Sequence, residues 1–214
     1  MKHALILALA LAATTGVAHA QDVKAGEQKA AMCIGCHGIP GYQASFPEVH
    51  RVPMISGQSA QYIAAALTAY AKGERRHPSM RGLAGSLKDK DIADLAAYYE
   101  QHGRSSVVTV ADTPRQPSPE VAALLAKGAC ASCHGANYNK PISPAYPKIA
   151  GQHADYLHVA LKAYQNEGKG PVGRANAIMA GQVKAFKPAE LKAMAEYLGS
   201  LPGDLKTVPQ SRFR

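Results

Sequence analysis

The chain has 214 residues, no tryptophan, 18% charged residues and a formal net charge of +9, a length that fits one medium domain or two small ones. Beyond residue 20 no stretch approaches the roughly 20 apolar residues that a spanning helix needs, which excludes an integral membrane class. The positive balance favours anionic partners or surfaces, and nothing points to nucleic acid.

Residues 1–20 read as an export leader. Lys2 gives a basic start, Ala4 to Ala13 an apolar run too short to cross a bilayer, and Ala18-His19-Ala20 the small-residue pattern that a signal peptidase cuts. Cleavage after Ala20 would release a chain that starts at Gln21 in the periplasm.

Residues 21–110 are expected to form a first domain. Helical periodicity from Gly26 to Ala31 runs straight into Cys33-Ile34-Gly35-Cys36-His37, so the motif should close this helix. A second helix puts Tyr62, Ile63, Ala66, Leu67 and Tyr70 on one face and should stop at Gly73. A third opens at Asp89, carries Ile92, Leu95, Ala96 and Tyr99, and ends near Gly103. Only Val107 to Val110 has a short β pattern.

Residues 111–119 hold Pro114, Pro117 and Pro119 and read as an extended interdomain linker. Residues 120–208 then repeat the first domain. Glu120 to Lys127 leads into Cys130-Ala131-Ser132-Cys133-His134. Tyr156, Leu157, Ala160, Leu161 and Tyr164 form the second face, stopped by Gly168, and Leu191, Met194, Ala195 and Leu198 form the third, opening at Pro188 and ending at Gly199. A basic tail, residues 209–214, is a candidate for peripheral membrane contact.

The repeat is explicit. An offset of 97 superposes the two Cys-x-x-Cys-His motifs. An offset of 94 brings Pro53, Ile55, Gly57, Gln58 and Tyr62 onto Pro147, Ile149, Gly151, Gln152 and Tyr156. An offset of 99 brings Met80 and Gly82 onto Met179 and Gly181. The fold class is therefore all-α: two tandem domains related by internal duplication, with about three main helices each. Charge is uneven, since residues 21–110 net +2 and residues 120–214 net +6.

Cys-x-x-Cys-His is a signature for covalent attachment of c-type haem: two thiols reach two vinyl groups of the porphyrin, and the histidine next to them binds the iron. Its occurrence twice implies two haem c groups, held by Cys33 and Cys36 and by Cys130 and Cys133, with His37 and His134 on the irons. The competing readings are a redox motif, short-loop disulfides or a shared zinc site. A redox motif lacks its βαβ context here, and in so complete a repeat each half owns its ligands.

The second axial ligand decides between electron transfer and an open catalytic iron. Met80 and Met179 coincide in the repeat and are the favoured pair. Met32 and Met194 read as packing, and Met54 aligns with Lys148. His50 and His77 remain competitors at the first haem. His102, His153 and His158 lack counterparts and read as structural or solvated. Arg75, Arg76 and Arg81 near one haem edge, with Arg174 and Lys184 near the other, are candidates to steer acidic redox partners.

On these motifs, with Pro147-Lys148-Ile149-Ala150-Gly151-Gln152-His153 and the helix after Met179, nearly the whole mature chain resembles the dihaem cytochrome c4 family. The resemblance implies tandem cytochrome c-like domains, His37/Met80 and His134/Met179 as axial pairs, and domains facing each other about a pseudo-twofold axis with haem propionates near the interface. It implies a one-electron carrier between a quinol-oxidising complex or a dehydrogenase as donor and a terminal oxidase as acceptor. The chain departs from the family at Met54, where the family's lysine matches Lys148, and at His50, which aligns with Pro144. A loop proline is expected to offer its carbonyl to the proximal imidazole. Pro144 suits that role, and the first half has no clear equivalent. The rival readings are a haem enzyme, such as a peroxidase or sulfur-compound oxidase, and a cytochrome subunit of a periplasmic dehydrogenase.

Overall fold

The computed structural model describes residues 21–104, 109–166 and 169–209. The leader, Val107 and Val108, Gly168 and all of the basic tail but Pro209 lie outside these residues. The first half runs α1 (Val23–Lys29), α2 (Ala31–His37), β1 (Gln43–Ala44), β2 (His50–Arg51), α3 (Ala60–Lys72), β3 (Arg75–Arg76), α4 (Pro78–Ala84) and α5 (Asp89–Gln101). The second runs α6 (Pro119–Lys127), α7 (Cys130–His134), α8 (Ala154–Gln165), β4 (Gly173–Arg174), α9 (Ala177–Val183) and α10 (Pro188–Gly199).

The long helices, α3 and α5 in the first half and α8 and α10 in the second, form where the apolar stripes lie, with α1 and α6 ahead of the haem motifs, and the all-α class holds. Two features differ from the sequence reading. The haem motif does not close the first helix but forms a short helix of its own, turned off at Ala30 in the first half and at Ala129, with φ 45°, in the second. Each half also has a further two-turn helix, α4 or α9, too short to show an apolar stripe.

Helix ends follow local chemistry. The Asp22 carboxylate caps α1 by accepting from the Ala25 amide at 3.0 Å, and Ser118 caps α6 through the Val121 amide at 3.3 Å. Gly73 ends α3 in the left-handed region, φ 76°, where a Cβ would be strained. In the second half α8 stops at Gln165, ahead of Gly168.

Each half closes its own core. Ile34, Ile63, Leu95, Ala96, Tyr98 and Tyr99 pack in the first; Leu124, Leu157, Phe186, Leu191, Met194 and Leu198 are among the second. Met194, 3% exposed, takes the packing place of Leu95, as expected. Met32 does not pack: at 49% exposed it sits on the outer side of α2. His102 is structural, with Nδ1 2.9 Å from the Ser56 hydroxyl and its ring stacked on Tyr98.

The helix crossing of the first half depends on one glycine and one acid. A Cβ on Gly26 would lie 2.1 Å from the Asp94 carbonyl oxygen, so α1 and α5 approach as closely as backbones allow. The Asp94 carboxylate, fully buried, accepts from Lys29 Nζ at 2.6 Å, Lys90 Nζ at 3.0 Å and the Asp22 amide at 3.0 Å. Burial opposes its charge, but Lys29, the Asp22 amide and Lys90 outweigh burial and hold the carboxyl at about 2.

The halves meet through a reciprocal clasp. Gln58 donates from Nε2 to the Lys148 carbonyl at 3.0 Å and accepts from the Lys148 amide at 3.0 Å. Gln152 does the same to Met54, at 2.8 Å and 3.0 Å. Both side chains are buried, so these bonds satisfy amides that water does not reach. β3 pairs antiparallel with β4, Arg75 opposite Arg174, and the Ala175 amide donates to the Glu74 carbonyl at 2.7 Å. Arg51 with Asp155, and Lys162 with Glu48, add ion pairs across the junction.

Asp94→Asn is expected to cost about 2 kcal/mol at neutral pH through lost charge-assisted hydrogen bonds. The depressed carboxyl stabilises the fold above its unfolded value of 3.8, and that contribution fades as pH falls toward 2. Thermal melting of both proteins should therefore show a gap at neutral pH that closes in that acid window.

Candidate haem sites

Both Cys-x-x-Cys-His motifs lie on short helices that place their cysteines one turn apart, on one face. All four cysteines are free, partly exposed thiols. Burial pushes the Cys33 and Cys130 thiols above their usual range, so these two are neutral thiols rather than thiolates.

The two histidines are held alike. His37 Nδ1 lies 2.8 Å from the Pro53 carbonyl, and His134 Nδ1 lies 2.9 Å from the Pro147 carbonyl. A carbonyl only accepts, so Nδ1 carries the proton and Nε2 keeps its lone pair for a metal. Burial lowers both imidazoles below their ordinary pKa. At His37 the Pro53 carbonyl opposes that shift, and Arg75 and His77 add to it.

The proline expectation is corrected here. Pro144 does not serve His134; its carbonyl accepts from the Ser59 hydroxyl at 2.5 Å, across the junction. The Ile149 and Ala150 amides both bond to the Tyr138 carbonyl, and this turn presents Pro147 to the imidazole instead. Pro53, its repeat equivalent, does the same in the first half, so the substitutions at His50 and Met54 leave that support intact. The match was visible in the offset of 94.

Met80 and Met179 occupy the third position of α4 and of α9, and both are partly buried. Met179 packs against the second core, and the Asn176 side chain caps its amide at 3.0 Å. His50 is buried, with Nδ1 2.8 Å from the Glu48 carbonyl and its ring stacked on Tyr156 of the other half. His77 caps α4 and has a buried Nδ1 without a hydrogen-bond partner. His153 opens α8, as the repeat indicated.

The arginine expectation holds only in part. Arg76, Arg81 and Lys184 are exposed. Arg174 is buried and Arg75 half-buried: they lie at the junction, over the rings of Tyr70 at 4.6 Å and Tyr164 at 5.0 Å. Both donate to the Tyr156 hydroxyl, at 2.7 Å and 3.0 Å. Burial would raise that phenol, but the two guanidinium groups outweigh it and bring it down to about 8. This cluster and the glutamine clasp were not assigned from sequence. Gln58 and Gln152 did stand in register, but a repeat match does not say whether a residue faces a core or a partner.

The donor set fits haem c. Each half has two thiols, a neutral imidazole whose Nδ1 is held by a carbonyl, and a thioether on a separate short helix.

The cytochrome c family model matches residues 23–102 and 120–202. The chain is 31% identical to cytochrome c4 of Azotobacter vinelandii over 94% of its own length and 100% of the relative's. It is 27% identical to a thiosulfate dehydrogenase electron acceptor of Thiomonas intermedia, over 83% of its length and 82% of the relative's. The solved structure of Acidithiobacillus ferrooxidans cytochrome c4 superposes with a TM-score of 0.61 at 28% identity, covering 80% of this chain and 99% of that one.

Replacing Cys33 and Cys36 together with alanine is expected to leave a protein with one covalent haem, bound to the 130–134 motif. The intact mass, read beside the absorbance of the haem in alkaline pyridine, should fall by one haem relative to wild type.

Proposed function

The chain belongs to the cytochrome c4 family and is a dihaem electron-transfer cytochrome; from this we propose that it works as an exported periplasmic carrier. In this reading the leader is cut after Ala20, and no helix among the described residues is long and apolar enough to cross a membrane. Cys33 and Cys36 hold the first haem c, and Cys130 and Cys133 the second. His37 with Met80, and His134 with Met179, are the axial ligands. When bound, each haem supplies an iron that exchanges one electron at a time.

The observation that carries this reading is the duplicated carbonyl–imidazole pair. Pro53 and Pro147 hold His37 and His134 in one tautomer, so the proximal ligand need not reorient as charge at the iron changes. Met80 is favoured over His50 and His77 because it shares its helix position with Met179. His50 is also occupied with Glu48 and Tyr156. A ligand on each face leaves no open position, and the chain acts as a carrier rather than an enzyme.

Redox proteins are its partners: a quinol-oxidising complex or periplasmic dehydrogenase as donor, a terminal oxidase as acceptor. The Thiomonas intermedia relative supports a sulfur-compound dehydrogenase among the donors, and with it the second reading, a cytochrome subunit of such a complex. Exposed Arg76, Arg81 and Lys184 are the charges available to steer acidic partners.

Met80→Ala and Met179→Ala should each turn one of the two haems high-spin and open to carbon monoxide, while wild type shows neither change. If wild type itself binds the gas, the carrier reading gives way to a haem enzyme. Electron exchange with an acidic redox partner should slow several-fold as the Debye length shrinks from about 30 Å at about 0.01 M salt to about 8 Å at about 0.15 M. A rate independent of salt removes the steering.

A further inference from the structure

In each half the carbonyl that holds the motif histidine belongs to a peptide unit whose other end is gripped by the opposite half. The Pro53 carbonyl accepts from His37 Nδ1 at 2.8 Å, and the N–H of that same peptide unit, carried by Met54, donates to Gln152 Oε1 at 3.0 Å. The second half has the mirror arrangement. The Pro147 carbonyl accepts from His134 Nδ1 at 2.9 Å, and the Lys148 N–H of that unit donates to Gln58 Oε1 at 3.0 Å. Met54 and Lys148 share no side-chain chemistry, so what the two halves have in common here is the backbone contact alone.

Both glutamines are only 4% exposed, and each is fixed on its own side. Gln58 Oε1 also accepts from the Ser59 amide and Gln152 Oε1 from the His153 amide, both at 3.0 Å, at the residues that open α3 and α8. A glutamine that only satisfied buried backbone could grip any peptide of the segment. These two grip the one whose carbonyl faces the imidazole.

A peptide unit is conjugated from its nitrogen to its oxygen. An acceptor on the N–H pushes electron density onto the carbonyl oxygen, which then accepts more strongly, so hydrogen bonds in such a chain strengthen one another. A stronger acceptor at Nδ1 makes Nε2 more basic, and a more basic ligand favours ferric iron and lowers the midpoint. We propose that Gln152 and Gln58 are positioning residues, each tuning the haem of the opposite half through one peptide unit: Gln152 through Pro53 on His37, and Gln58 through Pro147 on His134. This rests on the two-haem reading above. The strengthening is roughly 10–30% per bond, so the relay adjusts a midpoint and leaves both iron ligands in place.

Gln152→Met removes the accepting oxygen at nearly unchanged side-chain length. Its holoprotein is titrated spectroelectrochemically, with the two waves assigned from the Met80→Ala and Met179→Ala proteins. The midpoint of the Cys33/Cys36 haem should rise while the other stays, and Gln58→Met should do the converse. Gln152→Glu and Gln58→Glu keep an oxygen for the same amide whether ionised or not, and should return the affected midpoint to the wild-type value or below. All four proteins should stay low-spin at both haems. In the reduced, diamagnetic state the ring proton on His37 Nδ1 should move upfield in Gln152→Met, and that on His134 Nδ1 in Gln58→Met. If a methionine variant moves both waves together, only the haem of its own half, or neither, the relay is wrong. Equal shifts in the methionine and glutamate variants overturn it as well.

A second arm uses unaltered reduced protein and does not depend on the variants folding. The Met54 and Lys148 amides should be protected from exchange with deuterium, and exchange at the rate of a free loop amide removes the relay. The pyridine absorbance separates the two levels: fewer than two haems per chain defeats the parent reading, whereas two haems without the crossed shifts defeat this inference alone.

Discussion

The hydrogen bond from the proximal imidazole to a proline carbonyl is the contact on which both halves are organised. It lies at the head of a short segment that does several jobs in succession. Pro53 accepts from His37, and the Met54 backbone is gripped by Gln152. The Ser56 carbonyl then accepts from Lys206, and Gln58 reaches across to Lys148. Pro147 to Gln152 repeats the pattern toward Met54, with the Gly151 amide bonded to the Leu198 carbonyl of α10. Within six residues the chain fixes the histidine of the haem motif and then the other domain. A shift in how the halves dock would therefore reach the imidazole of each motif.

What could be read from the sequence follows from what local patterns encode. Helical stripes gave α3, α5, α8 and α10 because an apolar face repeats every turn, and the haem motif is local by construction. Helices α4 and α9 escaped notice because two turns hold too few residues to show a period. The role of Pro147 was assigned to Pro144, and that of Pro53 to no residue, because Pro144 and Pro147 precede the same turn and only the bonds to the Tyr138 carbonyl decide which one faces His134. Arg75 and Arg174 read as surface charge because arginine usually is; Arg75 is drawn in by Tyr156 of the other half, and Arg174 by Tyr156 and Tyr164 of its own. Charge in a sequence does not reveal which side of an interface it occupies.

The duplication is not symmetric in its chemistry. At the crossing of the first and last helices the first half places Asp94, with Lys29 and Lys90 upon it, where the second has Ala193 packed against an apolar core. Hydrophobic contact in the second half is insensitive to pH, while the carboxylate anchor of the first fails once it takes up a proton. Acid should therefore loosen the first half before the second.

The location of the arginines also redistributes the surface charge. With Arg75 and Arg174 withdrawn into the junction, the first half is left near neutral and the second remains strongly basic. The excess positive charge thus lies on the second half, while the glutamine clasp keeps the first beside it. The polar groups of the junction are thereby set apart from the surface: amides, guanidinium groups and phenols shielded from water interact with one another where salt screens them least.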